Sequence, residues 1–180
     1  MRLAVQYTCA ALLSVAAVAC KSDASVTKDL VGVWRWNPRD NFPPEQIKET
    51  GFPTPDLEAI QFNADGQYVH VQGVPGYETI VAGKPFHVSE RWWEWKGSWS
   101  VANGELAIVS GPIEERWGAR HEPHGWVLDR NRSGDDRTFK VEELTHGRLR
   151  LETLAIGDVN RSMQRTATLP QRPVLTNPKP

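Results

Sequence analysis

Three times between Leu57 and Thr153 the chain repeats one pattern: an alternating run, a glycine-containing turn, and a second alternating run. Leu57-Glu-Ala-Ile-Gln-Phe-Asn63 breaks at Ala64-Asp65-Gly66 and resumes as Gln67-Tyr-Val-His-Val-Gln72. Trp92 to Val101 breaks at Ala102-Asn103-Gly104 and resumes as Glu105 to Val109. Thr138 to Leu144 breaks at Thr145-His146-Gly147 and resumes as Arg148 to Thr153. Period-two alternation puts every second side chain on one face of a strand, and the glycine supplies the positive φ of a tight hairpin turn. Arg161 to Ala167 reads as a final strand, with weaker strands near Tyr77 to Val81 and Gly125 to Asp129. No amphipathic helix of 12 or more residues is visible, so there is nothing to cross over between parallel strands. Eight to ten short strands joined by hairpins predict an all-β domain, a small up-and-down antiparallel β-barrel or a sandwich.

A length of 180 residues suits one domain or at most two small ones, and 39% hydrophobic content is enough for one core. Lys plus Arg number 21 against 22 acidic residues, which leaves no basic footprint for nucleic acid. Eight Trp beside three Tyr and five Phe is the compositional oddity.

The first residues read as an address. After Met1-Arg2, the stretch Leu3 to Ala19 carries no charge, is short for a bilayer span, and ends in small residues, as a secretory signal does. Ala16-Ala17-Val18-Ala19-Cys20 followed by Lys21-Ser22-Asp23 resembles the lipobox of bacterial lipoproteins. That resemblance implies cleavage before Cys20, fatty acylation (palmitate) of its thiol, and, from Lys21, sorting to the outer membrane on its periplasmic face. Ala17-Val18-Ala19 also fits the ordinary signal-peptidase pattern, which would leave Cys20 a free thiol. Cys9 lies in the removed segment, so the mature chain has no internal disulfide. The expected organisation is signal peptide 1–19, tether 20–28, barrel 29–168 and a loose Pro-rich tail 169–180. Pro44 to Thr50 is expected to make about two helical turns inside a long connection, Asn37 to Pro55, that could act as a lid.

The ordered succession of elements resembles the bacterial lipocalin-like domains. Leu30-Val31-Gly32-Val33-Trp34 carries the G-x-W element of a first strand. The Phe62 to Tyr68 hairpin, the Gly97-Ser98-Trp99 strand, the Gly turn between Leu144 and Leu151, and a last strand with Arg165 follow in order. The resemblance implies an eight-stranded barrel with Trp34 plugging the closed end and Arg165 packed over it, and carries over Gly32 of the G-x-W element as a structural residue. The 111–136 stretch departs from that pattern as irregular.

Alternation places Trp93, Trp95, Gly97, Trp99 and Val101 on one face and Trp92, Glu94, Lys96 and Ser98 on the other. An eight-stranded barrel either fills with side chains or holds one small ligand. One expectation is therefore a calyx in which Trp93, Trp95, Trp99, Phe62 and Tyr68 bind a small apolar or amphipathic ligand. The rival is a filled barrel serving as an inhibitor, immunity-type module or envelope-protein accessory, with Trp92, Trp117 or Trp126 and neighbouring Arg making the contacts.

Chemistry is hard to find. His121-Glu122-Pro123-His124 near Glu114-Glu115 has zinc-like ligand types, but lacks H-E-x-x-H spacing and a visible third ligand. Asp129 to Asp135 matches the start of a calcium loop, but Lys140 stands where its bidentate Glu belongs, so a charged hairpin tip is expected. Glu114-Glu115, Asp135-Asp136 and Glu142-Glu143 are adjacent and face opposite ways on strands, so they cannot form an acid/base dyad. No nucleophile elbow or P-loop is present. The expectation is a binding protein, not an enzyme, with no cofactor and no metal.

Overall fold

The computed structural model describes residues 21–36, 57–118, 126–154, 160–173 and 175, with the side chains of 129–132 not described. The signal peptide, Cys20, the helix expected at Pro44 to Thr50, the whole Asn37 to Pro55 lid and His121 to His124 lie outside the described residues.

Eight antiparallel strands close into a barrel: β1 (Gly32–Trp36), β2 (Leu57–Phe62), β3 (Gln67–Val74), β6 (Arg91–Ala102), β7 (Glu105–Gly118), β9 (Arg137–Leu144), β10 (Arg148–Thr153) and β11 (Arg161–Thr166). Each pairs with the next in this order, and β11 pairs back onto β1. Two further strands, β4 (Tyr77–Val81) and β5 (Lys84–Val88), form a separate hairpin between β3 and β6. The last barrel-associated strand, β8 (Trp126–Arg132), pairs with the far half of β7. The stretch expected to be irregular is therefore largely strand, because β7 runs unbroken from Glu105 to Gly118, with register shifts at its pairings with β6 and β8.

The β6–β7 turn puts Asn103 at φ 55° and Gly104 at φ 75°, the two positive values an Asn-Gly hairpin needs. Its exposed amides are not left to water. The Asp23 carboxylate accepts from Asn103 N at 2.8 Å and Gly104 N at 3.0 Å.

Asp23 belongs to a helix where a tether was expected. The segment α1 (Asp23–Leu30) begins at Ser22, whose hydroxyl accepts from Ser25 N, and carries Asp23 in its first turn and Lys28 in its last. Val26 and Leu30, four apart, share one face and are buried in the main core. Eight residues with two apolar anchors are too few to show a helical period in the sequence, which is why the segment reads as aperiodic. The helix stoppers the barrel end that holds the turns 63–66, 102–104 and 145–147. Lys21 fixes its start, donating to Asp29 Oδ2 at 2.8 Å and to the Leu144 carbonyl at 3.1 Å.

The plug lies just inside that end. Trp34 is fully buried and donates Nε1–H to the Leu30 carbonyl at 2.7 Å. The Arg165 guanidinium lies 4.7 Å over the Trp34 ring and donates to the Asp29 carbonyl. Gly32 makes room for it: φ is +139°, and a Cβ there would sit 3.3 Å from Arg165 Nη1. Phe62, Tyr68, Trp99, Leu106, Leu149, Leu151 and Met163 complete a well-filled lower half.

The tail also departs from expectation. Leu169 and Leu175 pack on the outside of the barrel against Ala59, Val71, Trp92 and Trp126. Trp92 and Trp126, expected to be exposed, are consequently 2% and 9% exposed. Among the described residues, no helix is long and apolar enough to cross a membrane.

Trp34→Ala is expected to lower the unfolding free energy by roughly 3–5 kcal/mol, most of the stability of a domain this small. Denaturant unfolding of the purified chain would measure it; a loss below about 1 kcal/mol would remove Trp34 from the plug.

Candidate functional site

Strand direction decides where a site can lie. The helix and plug occupy one barrel end, so the hollow formed by the described residues lies toward the other, where β1 leaves and β6, β9 and β11 begin. There the described residues enclose a cavity of about 140 Å³. Ile60, Ile108, Ile113 and Phe139 supply apolar wall, and Trp95 supplies the one indole. The rest is polar: Glu58, His70, Gln72, Ser110, Asp135, Arg137 and Arg161.

Register explains the assembly. Ile60 pairs with His70, Glu58 with Gln72, His70 with Trp95, and Ile108 with Arg137, all at inward positions of neighbouring strands. Arg161 enters from β11, opposite Leu151. Its Nε donates to Glu58 Oε1 at 3.1 Å, and its guanidinium lies between the rings of Trp36 at 5.6 Å and Phe139 at 5.5 Å. His70 Nε2 meets the same Glu58 oxygen at 3.0 Å, and its ring centroid is 3.9 Å from that of Trp95, tilted by 47°. The Glu58 and Arg161 side chains are only 3% and 9% exposed. An ion pair this dry persists because each charge keeps its partner.

Burial works to raise the Glu58 carboxyl, but the hydrogen bond from His70 and the Arg161 guanidinium outweigh it and hold it at about 2. Burial pushes His70 down; its hydrogen bond to Glu58 opposes this, and the Arg161 and Arg137 charges add to it. At neutral pH His70 is a neutral imidazole donating Nε2–H to the carboxylate. Tyr68 OH and Ser110 Oγ meet at 2.8 Å on the cavity floor, and Ser110 N donates to Asp136.

Of the five residues expected to contact a ligand, Trp95 lines this cavity. Phe62 and Trp99 pack edge-to-face at 5.1 Å within the filled half, and the Trp99 indole is committed to the Asn63 and Gln67 carbonyls. Tyr68 is buried and reaches the floor only through its hydroxyl; Trp93 is half-buried, next to Gln72 and Glu115. The hollow is thus a charged chamber with one indole wall, not a Trp-lined calyx. Glu58, His70 and Arg161 were missed by sequence reading. The one available signal was their parity, since each shares the inward alternation of an apolar neighbour: Ile60, Tyr68 and Met163 respectively.

The remaining candidates resolve simply. Glu114 points outward to Arg116 at 2.8 Å, while Glu115 points inward and is buried beside Arg91. Trp117 is 41% exposed under the Arg91 guanidinium, 4.8 Å away. Ser133 to Asp136 connect β8 to β9. Among the described residues, no three His, Cys, Asp or Glu side chains cluster as a metal site would require.

No protein-family model matches the chain, and no curated protein does. Among solved structures, a lipocalin-like protein from Bacteroides uniformis ATCC 8492 is similar at a TM-score of 0.35 and 19% identity, over 76% of this chain and 97% of that one. A likeness of that size says nothing of what either protein binds.

The pH response follows from His70. Its folded pKa lies below the unfolded value of about 6.5, so its contribution is full above that pH and is lost as pH falls toward the folded value. Glu58 adds a second loss, between about 4.5 and 2. Melting temperature is therefore expected to fall from pH 7 to pH 5, and His70→Gln, which keeps a donor for Glu58 but cannot titrate, to flatten that drop. Parallel slopes for the two proteins would exclude His70 as the titrating group.

Proposed function

We propose that this protein is a membrane-anchored periplasmic lipoprotein whose barrel binds a small amphipathic molecule, without catalysis. The cavity carries the reading. About 140 Å³ is close to the space that accepts a benzene-sized guest. The Trp95 indole and three isoleucines and a phenylalanine offer one apolar side, while Gln72, Arg137 and the Glu58–Arg161 pair offer hydrogen bonds on the other. A headgroup fragment or small ring with one polar edge suits such a chamber; a full-length acyl chain does not.

The anchoring part rests on the Ala16 to Ser22 segment. It gains support from Lys21, the residue after Cys20, which is held against Asp29 and the Leu144 carbonyl at the stoppered end. An acyl group on Cys20 would set that end toward the membrane and leave the cavity mouth facing the periplasm. Binding without catalysis is favoured because His70, the one histidine among the described residues that line the cavity, is spent on Glu58 and stacked on Trp95.

Native mass spectrometry of protein extracted from its own membranes tests both halves. The expected result is a triacylated chain beginning at Cys20, with a non-covalent adduct of one small molecule. Trp95→Ala should weaken that adduct about tenfold, near the upper worth of one aromatic contact, with the acyl mass unchanged. An unmodified Cys20 would remove the anchor; no adduct from either protein would remove the ligand.

A further inference from the structure

The outer wall of the barrel carries an aromatic surface that the cavity does not use. Ala59 and Val71 on β2 and β3, Trp92 on β6 and Trp126 on β8 form a cluster that would face water if the chain stopped at β11. It does not stop. From the stoppered end the tail crosses this wall, and Leu175 comes to rest against Gly118 at the far end of β7.

The manner of crossing is informative. Leu169, Arg172 and Leu175 are spaced by three, the repeat of a polyproline II helix, and all three turn toward the wall. The two leucines pack on the Trp92–Trp126 cluster, and the Arg172 guanidinium lies 6.0 Å over the Trp126 ring. Pro170-Gln171-Arg172-Pro173 is a P-x-x-P sequence, and each proline fixes its own φ near the polyproline value. Trp126 Nε1–H donates to the Pro173 carbonyl at 2.6 Å. Burial and then the neighbouring Arg116 push the Arg172 guanidinium down, and Glu94 and Glu114, outward neighbours on β6 and β7, oppose this in part. An indole N–H on a proline carbonyl, a leucine on the aromatic wall at each end of the P-x-x-P and an indole face under its arginine make up the chemistry by which proline-rich segments are read. Gln171, Arg172 and Pro173 stay exposed, so the tail is held at a few points and not sealed in.

From this we infer that the Ala59–Val71–Trp92–Trp126 wall is a docking site for proline-rich protein segments of Leu-Pro-x-Arg-Pro-x-Leu spacing. The chain's own residues 169–173 and 175 are its resident occupant, and a partner protein's segment takes their place. A covalently attached tail competes at an effective concentration near the millimolar range, so the site is expected to be silent toward weak ligands until the tail is loosened.

The test uses the full chain with Leu175→Asp, which sets a carboxylate beside Glu90 in place of the leucine on the wall, and a synthetic peptide of residues 168–176 as probe. The readout is the indole N–H resonance of Trp126 in a nitrogen-correlated NMR spectrum, assigned by Trp126→Phe. In Leu175→Asp this resonance should move toward that of an exposed indole. Peptide should return it to the wild-type position, saturating below about 1 mM. Trp126→Phe in the same background, followed on the Trp92 resonance, should weaken the peptide about fivefold, the worth of one hydrogen bond. Arg172→Glu serves as a second loosened tail if Leu175→Asp does not fold. Three outcomes overturn the inference: no saturable return of the resonance; equal binding of a peptide with both prolines replaced by alanine; or dimers of Leu175→Asp that exchange tails and ignore the peptide.

Discussion

The stacking of the Arg165 guanidinium on the Trp34 ring is the joint on which the rest of the molecule depends. It forms where the first and last barrel strands meet, in register as partners. It also gathers the end of α1, because Trp34 and Arg165 donate to the Leu30 and Asp29 carbonyls that the helix leaves unpaired. A cation at a helix C-terminus, an indole beneath it and a glycine that yields space close the barrel wall and its floor together. Everything above this joint inherits its parity. Apart from Arg165 itself, inward positions of β1, β2 and β11 below the midline are apolar or aromatic, and those above carry Glu58 and Arg161.

The interior is therefore neither filled nor hollow throughout. The lower half is packed by aromatic and branched side chains. The upper half is kept open by charges that cannot collapse onto one another beyond their hydrogen-bonded geometry. A buried carboxylate shared by a guanidinium and a neutral imidazole is stable as a set and costly to break singly. That explains why the chamber stays polar in a barrel with so many indoles: Trp99 is tied to the β2–β3 turn, Trp34 to the helix, and Trp92 and Trp126 to the outer wall.

Much of this was legible in the alternation. The Asp65-Gly66, Asn103-Gly104 and His146-Gly147 turns fall between the strands they separate, and the inward face of β6 is the one that alternation chose. Gly32, Trp34 and Arg165 stand together at the closed end. What escaped notice had physical causes. The helix α1 has a local cap in Ser22 but no apolar period behind it, and its contacts with β6 and β9 are not a local signal. The Pro-rich tail reads as loose because its partners, Trp92 and Trp126, lie far back in the chain. Glu58 and Arg161 are 103 residues apart, and only the closed register brings them face to face.

Closure by first and last strands also fixes an order in time. Asp29 and Arg165, which must meet, are 136 residues apart, so the barrel cannot shut until nearly all of the chain has arrived. Until then β1 has one unpaired edge and Trp34 no lid, while the intervening hairpins can zip locally within microseconds. A chain emerging N-terminus first spends its whole synthesis or translocation as an open, edge-exposed sheet. A truncation that removes β11 would leave it in that state permanently. For this barrel the last strand is the latch, and the chain becomes safe from aggregation only when it arrives.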